Sequence, residues 1–434
     1  MNNATAGLAR CSGTHTPPPP PGLPGGAMIS SMSDPMPHRS TSTTLIALLS
    51  LLLTGCGRSA NDAADPKANS ADRDASKPFT TGINAWPLHR GDAALTGSAN
   101  TAFPTQWRIE WSRTTADSPV TGVAVSDGSI FVAHANGGIL RLPLDGGEPL
   151  WRTVLEADVD APISVLDGLA ALGTLDGEMV ALHMADGSVA WRYATEDAIH
   201  GAANFATAPD GTRRVVFGSY DTNLYALDSA TGTLAWRHAT NNYVNGTPAL
   251  VDGGVVASGC DGRVRRLNAA DGTEAFATAA SSYVPGSPTV AHGLAVAVGH
   301  DGTVAAVDVT DGTITWRIEP GESRDTVVLS PGTNGECVIL ASENGGVICR
   351  SLEDGAQRWR VKLPSPPTTA PLLGRRTVFL GTADGTVEQL SLADGTPVSS
   401  TTIGTAISCD LAVTPTGLLV GTDQGLLLHL TPAH

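Results

Sequence analysis

Aromatic residues or their stand-ins recur along this chain at Trp111, Trp151, Trp191, Trp236, Phe276, Trp316, Trp359 and Ser399, in steps of 40, 40, 45, 40, 40, 43 and 40 residues. All but the first follow a Gly-containing turn at a nearly fixed offset, as in Asp228-Ser-Ala-Thr-Gly-Thr-Leu-Ala-Trp236. Self-similarity near forty residues means a propeller, a solenoid or an array, because one unit cannot bury its apolar faces alone.

Each unit reverses direction three times. The fifth carries His292-Gly293, Asp301-Gly302 and Asp311-Gly312; the second carries Asp167-Gly168, Asp176-Gly177 and Asp186-Gly187. Such pairs suit two-residue hairpin turns, which need positive φ. The runs between them, Leu294 to Val298 and Val304 to Val307, are short, apolar and Gly-bounded, as strands are. Each unit is therefore expected to be a four-stranded antiparallel sheet.

The middle turn recurs at Asn136, Asp176, Asp221, Asp261, Asp301, Asn344, Asp384 and Gln424, which predicts eight blades. The last unit reaches Leu430 without a fourth strand, and Gln106 to Trp111 is expected to supply it. The fold predicted is an all-β, eight-bladed propeller of four-stranded antiparallel blades, its ring closed by an N-terminal strand. A lead-in segment, Trp86 to Asp92, is expected to pack beside the closing blade.

The N-terminal region carries a different signal. A basic flank at His38 and Arg39 precedes the apolar run Leu45 to Leu53, too short to span a bilayer of about 30 Å. Leu53-Thr-Gly-Cys56 resembles a bacterial lipobox, which makes Cys56 the expected lipidation site and the preceding run a signal peptide. Translation from Met28, Met32 or Met36 instead of Met1 would omit the Pro-rich opening segment. Gly57 to Ser76 is polar and reads as a flexible tether. The expected division is 1–55 extension and signal peptide, 56–83 tether and 84–434 propeller. Gly57 in place of Asp after the lipidated Cys resembles outer-membrane sorting signals.

Six cysteines make no disulfide framework. Pairing about a turn at Glu343 to Gly346 would set Cys349 opposite Leu340, leaving Cys337 and Cys349 on opposite sheet faces. The formal charge of −16 disfavours nucleic acid as a partner.

The repeat string ending at Trp236 resembles the tryptophan-docking repeat of pyrroloquinoline-quinone (PQQ)-type β-propellers, over roughly residues 84 to 430. That resemblance raises the possibility of a PQQ-dependent quinoprotein dehydrogenase. Such enzymes carry large insertions, adjacent cysteines and a spare aromatic platform, which this sequence lacks. The Gly-x-Ser-x-Gly and His-Glu-x-x-His motifs are also absent, so no catalytic, cofactor or metal site is expected.

A binding scaffold is the favoured reading. The residue before the middle-turn Asp varies from blade to blade, and together with the blade-to-blade connections it forms one face of the ring. Tyr220, Tyr243, Tyr283, His300, Arg324 and Glu343 are the candidate protein-binding residues there, because Tyr and Arg anchor protein interfaces. The lipobox, tether and eight units resemble BamB-type lipoproteins of the outer-membrane β-barrel assembly machinery. This likeness implies a non-catalytic periplasmic scaffold, lipid-anchored to the outer membrane, whose partners are other proteins at the membrane surface. A quinoprotein and a ligand- or glycan-sensing propeller stay open as alternatives.

Overall fold

The computed structural model describes residues 81–320 and 330–433. Cys56, Arg324 and residues 56–80 of the expected tether lie outside the described residues, while Thr81, at the end of that tether, is buried and bonded to blade eight. Among the described residues the strands form eight four-stranded antiparallel sheets. Blade one comprises Val120–Ser126, Ser129–His134, Gly138–Pro143 and Trp151–Val154, and blades two to seven repeat that order. At six of the eight seams the first strands of neighbouring blades touch, so the first strands line the axis and the fourth strands form the rim.

Alternation explains why these short runs make sheets. Second strands such as Leu169–Gly173 are buried throughout and third strands such as Glu178–His183 everywhere but their ends, while rim strands such as Leu234–Ala239 bury one residue in the middle, the docking Trp236. That indole lies against Gly272 of the next blade, where a Cβ would come within 2.7 Å of the ring. Its Nε1 donates to the Ala269 carbonyl at 2.9 Å. Trp151, Trp191, Trp316 and Trp359 repeat the bond to Met184, Ser229, Leu352 and Leu392 of the blade that follows.

Three seams depart from this pattern. Trp111 lies against Gly146 of blade one, but its buried Nε1 meets no acceptor among the described residues. The other two have substitutes. Phe276 has no N–H to give, and Arg266, its cross-strand partner, sends Nη1 to the corresponding Val309 carbonyl at 2.7 Å. At Ser399 the indole is missing altogether. Gln389 accepts from Ser399 Oγ at 2.6 Å and from Trp107 Nε1 at 3.1 Å. Phe103 and Trp107, tilted 44° to each other, then both meet Phe379 edge to face in the gap.

Ring closure follows the sequence expectation. Trp107–Thr114 pairs antiparallel with Leu426–Pro432 and becomes the rim strand of blade eight. The lead-in does something the sequence reading missed. Instead of packing beside the closing blade, residues 81–99 run once around one mouth of the axis and bond to the innermost strand region of every blade. Thr81 meets blade eight through the Pro415 carbonyl, Trp86 bridges Val125 of blade one, and the Pro87 carbonyl takes the Val165 N–H of blade two. Ala93 accepts from Asn204 of blade three and Leu250 of blade four. Ala94, Thr96 and Gly97 accept from Val290, Thr333 and Leu373 of blades five, six and seven. The inner strands leave backbone groups unpaired toward the axis, and this belt satisfies them.

The turns divide into two kinds. First turns such as Asp127-Gly128 and Asp252-Gly253 have positive φ at both residues, as two-residue hairpins require. Middle turns have it at the second residue alone and are longer. In blade six this corrects the expected register: Ala341 pairs with Val347, Ile339 faces Cys349 and Cys337 faces Ser351. The turn is centred on Asn344, so the two thiols share a sheet face, both buried and not joined by a disulfide.

Trp236→Ala removes a buried indole and its hydrogen bond, and should cost roughly 3–5 kcal/mol in urea unfolding; a cost near zero would contradict the docking geometry. Blade eight adds a pH dependence. Burial pushes the His429 imidazole from 6.5 down to about 4 against the opposing pull of Glu110. The unfolded chain takes up this proton near pH 6.5 and the folded chain only near 4, so stability should fall as pH drops through that window. His429 accounts for roughly 3 kcal/mol of the loss. Comparing urea midpoints at pH 7 and pH 4.5 for the parent and His429→Gln checks this, with the variant losing less.

Candidate protein-binding face

Middle turns and blade-to-blade connections meet on the face opposite the belt, held by one repeated bond. The residue before the middle-turn Asp donates its N–H to a carbonyl of the entering connection: Leu175 to Asp158, Tyr220 to Ala198, Cys260 to Tyr243 and His300 to Tyr283. The side chain of each is thereby fixed beside its connection. Backbone carries the assembly, so the side chains are free to differ.

The middle-turn carboxylates and amides are spent on the turns. Asp221, Asp261 and Asn344 each accept the N–H two residues on, at 3.0 to 3.2 Å. At Asp301 burial opposes ionisation, yet hydrogen bonds from Thr303, Ser282 and Ser281 hold the carboxyl at about 2. The series is turn chemistry, as its regular spacing suggested.

The structure sorts the sequence candidates into two ring stacks. Tyr220 and Tyr243 lie parallel, 4.7 Å between centroids, with His200 4.2 Å from Tyr220 on its other side. Tyr283 and His300 stack at 4.9 Å. Glu343 is exposed on the middle turn of blade six, with no ring beside it. Arg324 belongs to the connection outside the described residues.

Two neighbours escaped the sequence reading. Asp160 Oδ2 sits 2.8 Å from His200 Nδ1 and steadies the outer ring of the first stack. His200 was visible in the connection, but its partner comes from the preceding connection, 40 residues upstream. The second is Thr222, at φ 71° where the other seven middle turns hold Gly. A β-branched residue in this region is strained. The signal was present as the one middle turn without glycine, immediately after Tyr220 and Asp221.

A relay of side-chain bonds ties the connections together on the axis side. Ala202 N–H donates to Thr247 Oγ1, Thr247 N–H to Ser287 Oγ and Ser287 N–H to Ser330 Oγ, at 2.9 to 3.0 Å. Beside it Gly246 passes so close to its neighbour that a Cβ would stand 2.6 Å from the Gly286 carbonyl oxygen. The face is thus a rigid platform.

Thr222→Gly should stabilise the fold by about 1 kcal/mol, the cost of a non-glycine residue in this conformation, while leaving the Tyr220–Tyr243 stack in place. Chemical denaturation of the two proteins, with near-ultraviolet circular dichroism as the readout of the stack, checks both parts.

The family model for outer membrane protein assembly factor BamB matches residues 104–240, 220–335 and 329–398. A segment of 79 residues is 32% identical to the outer membrane protein assembly factor BamB of Xanthomonas campestris pv. campestris, covering 16% of this chain and 20% of that protein. The crystal structure of BamB from Moraxella catarrhalis superimposes with a TM-score of 0.63 at 21% identity, over 75% of this chain and 99% of that one. A europium-containing methanol dehydrogenase gives a TM-score of 0.64 at 12% identity, over 79% and 90% of the two chains. At these identities the two structures share the propeller fold and nothing more specific.

Proposed function

For a chain that belongs to the family of outer membrane protein assembly factor BamB, we propose the role of a non-catalytic scaffold that binds other proteins through the middle-turn face. The observation that carries this reading is the pair of ring stacks on a backbone-locked platform, with Tyr220 and Tyr243 parallel at 4.7 Å. Rigid tyrosines contribute large contact area at small entropic cost, which is why they anchor interfaces. Packed and pre-ordered before a partner arrives, these rings lose little freedom on binding.

The proposal extends to location. Cys56 carries a lipid, the polar stretch after it acts as a tether, and the propeller works in the periplasm beside the outer membrane. There its partners belong to the machinery that assembles β-barrel proteins. The lipobox and the family membership support this together. Lipid attachment keeps the propeller at the surface where such partners reside, so a modest affinity at each contact suffices.

Crosslinking and affinity capture from native membranes, with tagged full-length protein, tests the proposal. A β-barrel assembly protein should be recovered with the parent, and recovery should drop at least about fivefold with Tyr243→Ala. Cys56→Ser should release the protein from the membrane fraction. Capture of no assembly protein, with a quinone absorbance in the purified chain, would overturn the scaffold in favour of the dehydrogenase lineage.

A further inference from the structure

We infer that the aromatic platform takes a cationic segment of its partner, an extended stretch rich in arginine. The inference rests on the protein-binding reading of this face and adds the chemistry of the partner to it.

The first support is the distribution of charge around the rings. The middle turns of blades one to five and the connections entering them contain no Lys or Arg. They do contain Asp117, Glu156, Asp158, Asp176, Glu196 and Asp197, all exposed. Among the described residues none of these six carboxylates belongs to an ion pair. The opposite face is different, since Arg213 there pairs with the Asp167 carboxylate of a first turn. Asp261 beside the stacks pairs with Arg265, and Asp160 with His200, but the six exposed carboxylates are uncompensated, and a partner that binds there has to supply the counter-charge or leave them desolvated and unpaired.

The second support is how the acids and rings are arranged. Glu196 and Asp197 lie in the connection that carries His200, and the Glu196 N–H bonds the Asp221 carboxylate one residue from Tyr220. Asp158 and Asp160 lie in the preceding connection, and Asp160 holds His200. Carboxylates therefore flank the Tyr220–Tyr243 stack, with exposed Leu175 on the adjoining turn. Guanidinium matches this surface because its plane stacks on aromatic rings while its edge bonds carboxylates, which a lysine ammonium cannot do in one geometry. A sugar ring would use the aromatic faces but has no need of six unpaired carboxylates.

Fluorescence anisotropy with detergent-solubilised full-length protein tests this, using two labelled decapeptides, one alternating Arg and Thr and one alternating Glu and Thr. The Arg peptide should bind, more weakly as salt rises, and the Glu peptide should not. A face variant, Glu156→Gln, Asp158→Asn, Glu196→Gln and Asp197→Asn together, should weaken binding at least about tenfold. A control that removes the same four charges from the other face, Asp186→Asn, Asp271→Asn, Asp311→Asn and Asp394→Asn, should change it less than about twofold. Melting curves confirm that both variants fold.

Equal losses in the two variants would mean attraction to net charge alone and would overturn the inference. So would binding of both peptides alike, or Tyr243-dependent binding of cellohexaose with no peptide bound. If assembly-protein capture is lost with Tyr243→Ala yet unchanged in the face variant, the scaffold stands and the cationic partner does not.

Discussion

The contact on which the rest of this molecule depends is an indole laid across the glycine of the next blade. A four-stranded sheet this small has two apolar faces and no means of covering either, so a blade is stable only between neighbours. At five seams the rim tryptophan adds a directional element to that stacking, because its N–H meets one particular carbonyl. Burial alone would let blades slide, and the bond from Trp236 to Ala269 sets where they stop. The Phe276 seam makes the same point from the opposite side: when the indole is lost, a guanidinium from Arg266 restores the bond to Val309.

Closing the ring is a separate problem, and the N-terminal segment addresses it twice. As a strand it completes blade eight, joining Glu110 to Thr431 across 321 residues. As a belt it satisfies the inner strands of all eight blades. These contacts are among the least local in the chain, so making them closes long loops at an entropic cost that the finished ring has to offset. Arg90 shows how fully the belt is absorbed: its guanidinium is buried among backbone carbonyls of Ser330 and Pro371, and burial depresses its basicity.

Blade number, strand count and closing strand were legible because each depends on local turn chemistry repeated eight times. Repetition averages out the ambiguity of any single hairpin. The register of blade six was not legible, since Asn344-Gly345 fits either an even or an odd turn and one residue decides which face a cysteine takes. The belt was invisible for another reason: it is irregular chain whose partners are backbone groups on eight different strands, and backbone acceptors leave no mark in a sequence. At the candidate face, the variable residues could be found by subtracting the repeat. The Asp160–His200 contact could not, because it joins two connections whose spacing resembles any other pair of neighbours in the ring.

The same subtraction explains why the face can carry specificity at all. Docking, belt and relay bind through backbone atoms, glycines and small hydroxyls, and they hold the platform whatever side chains project from the middle turns. Thr222 departs from that economy. It occupies a conformation that glycine accepts freely, beside the best-ordered ring stack on the face, and nothing in the packing of the blade calls for a side chain there. Backbone strain of this kind clusters at ligand clamps and switch regions. Together with the exposed carboxylates of that face, it supports the proposed partner-binding role of blades two to four.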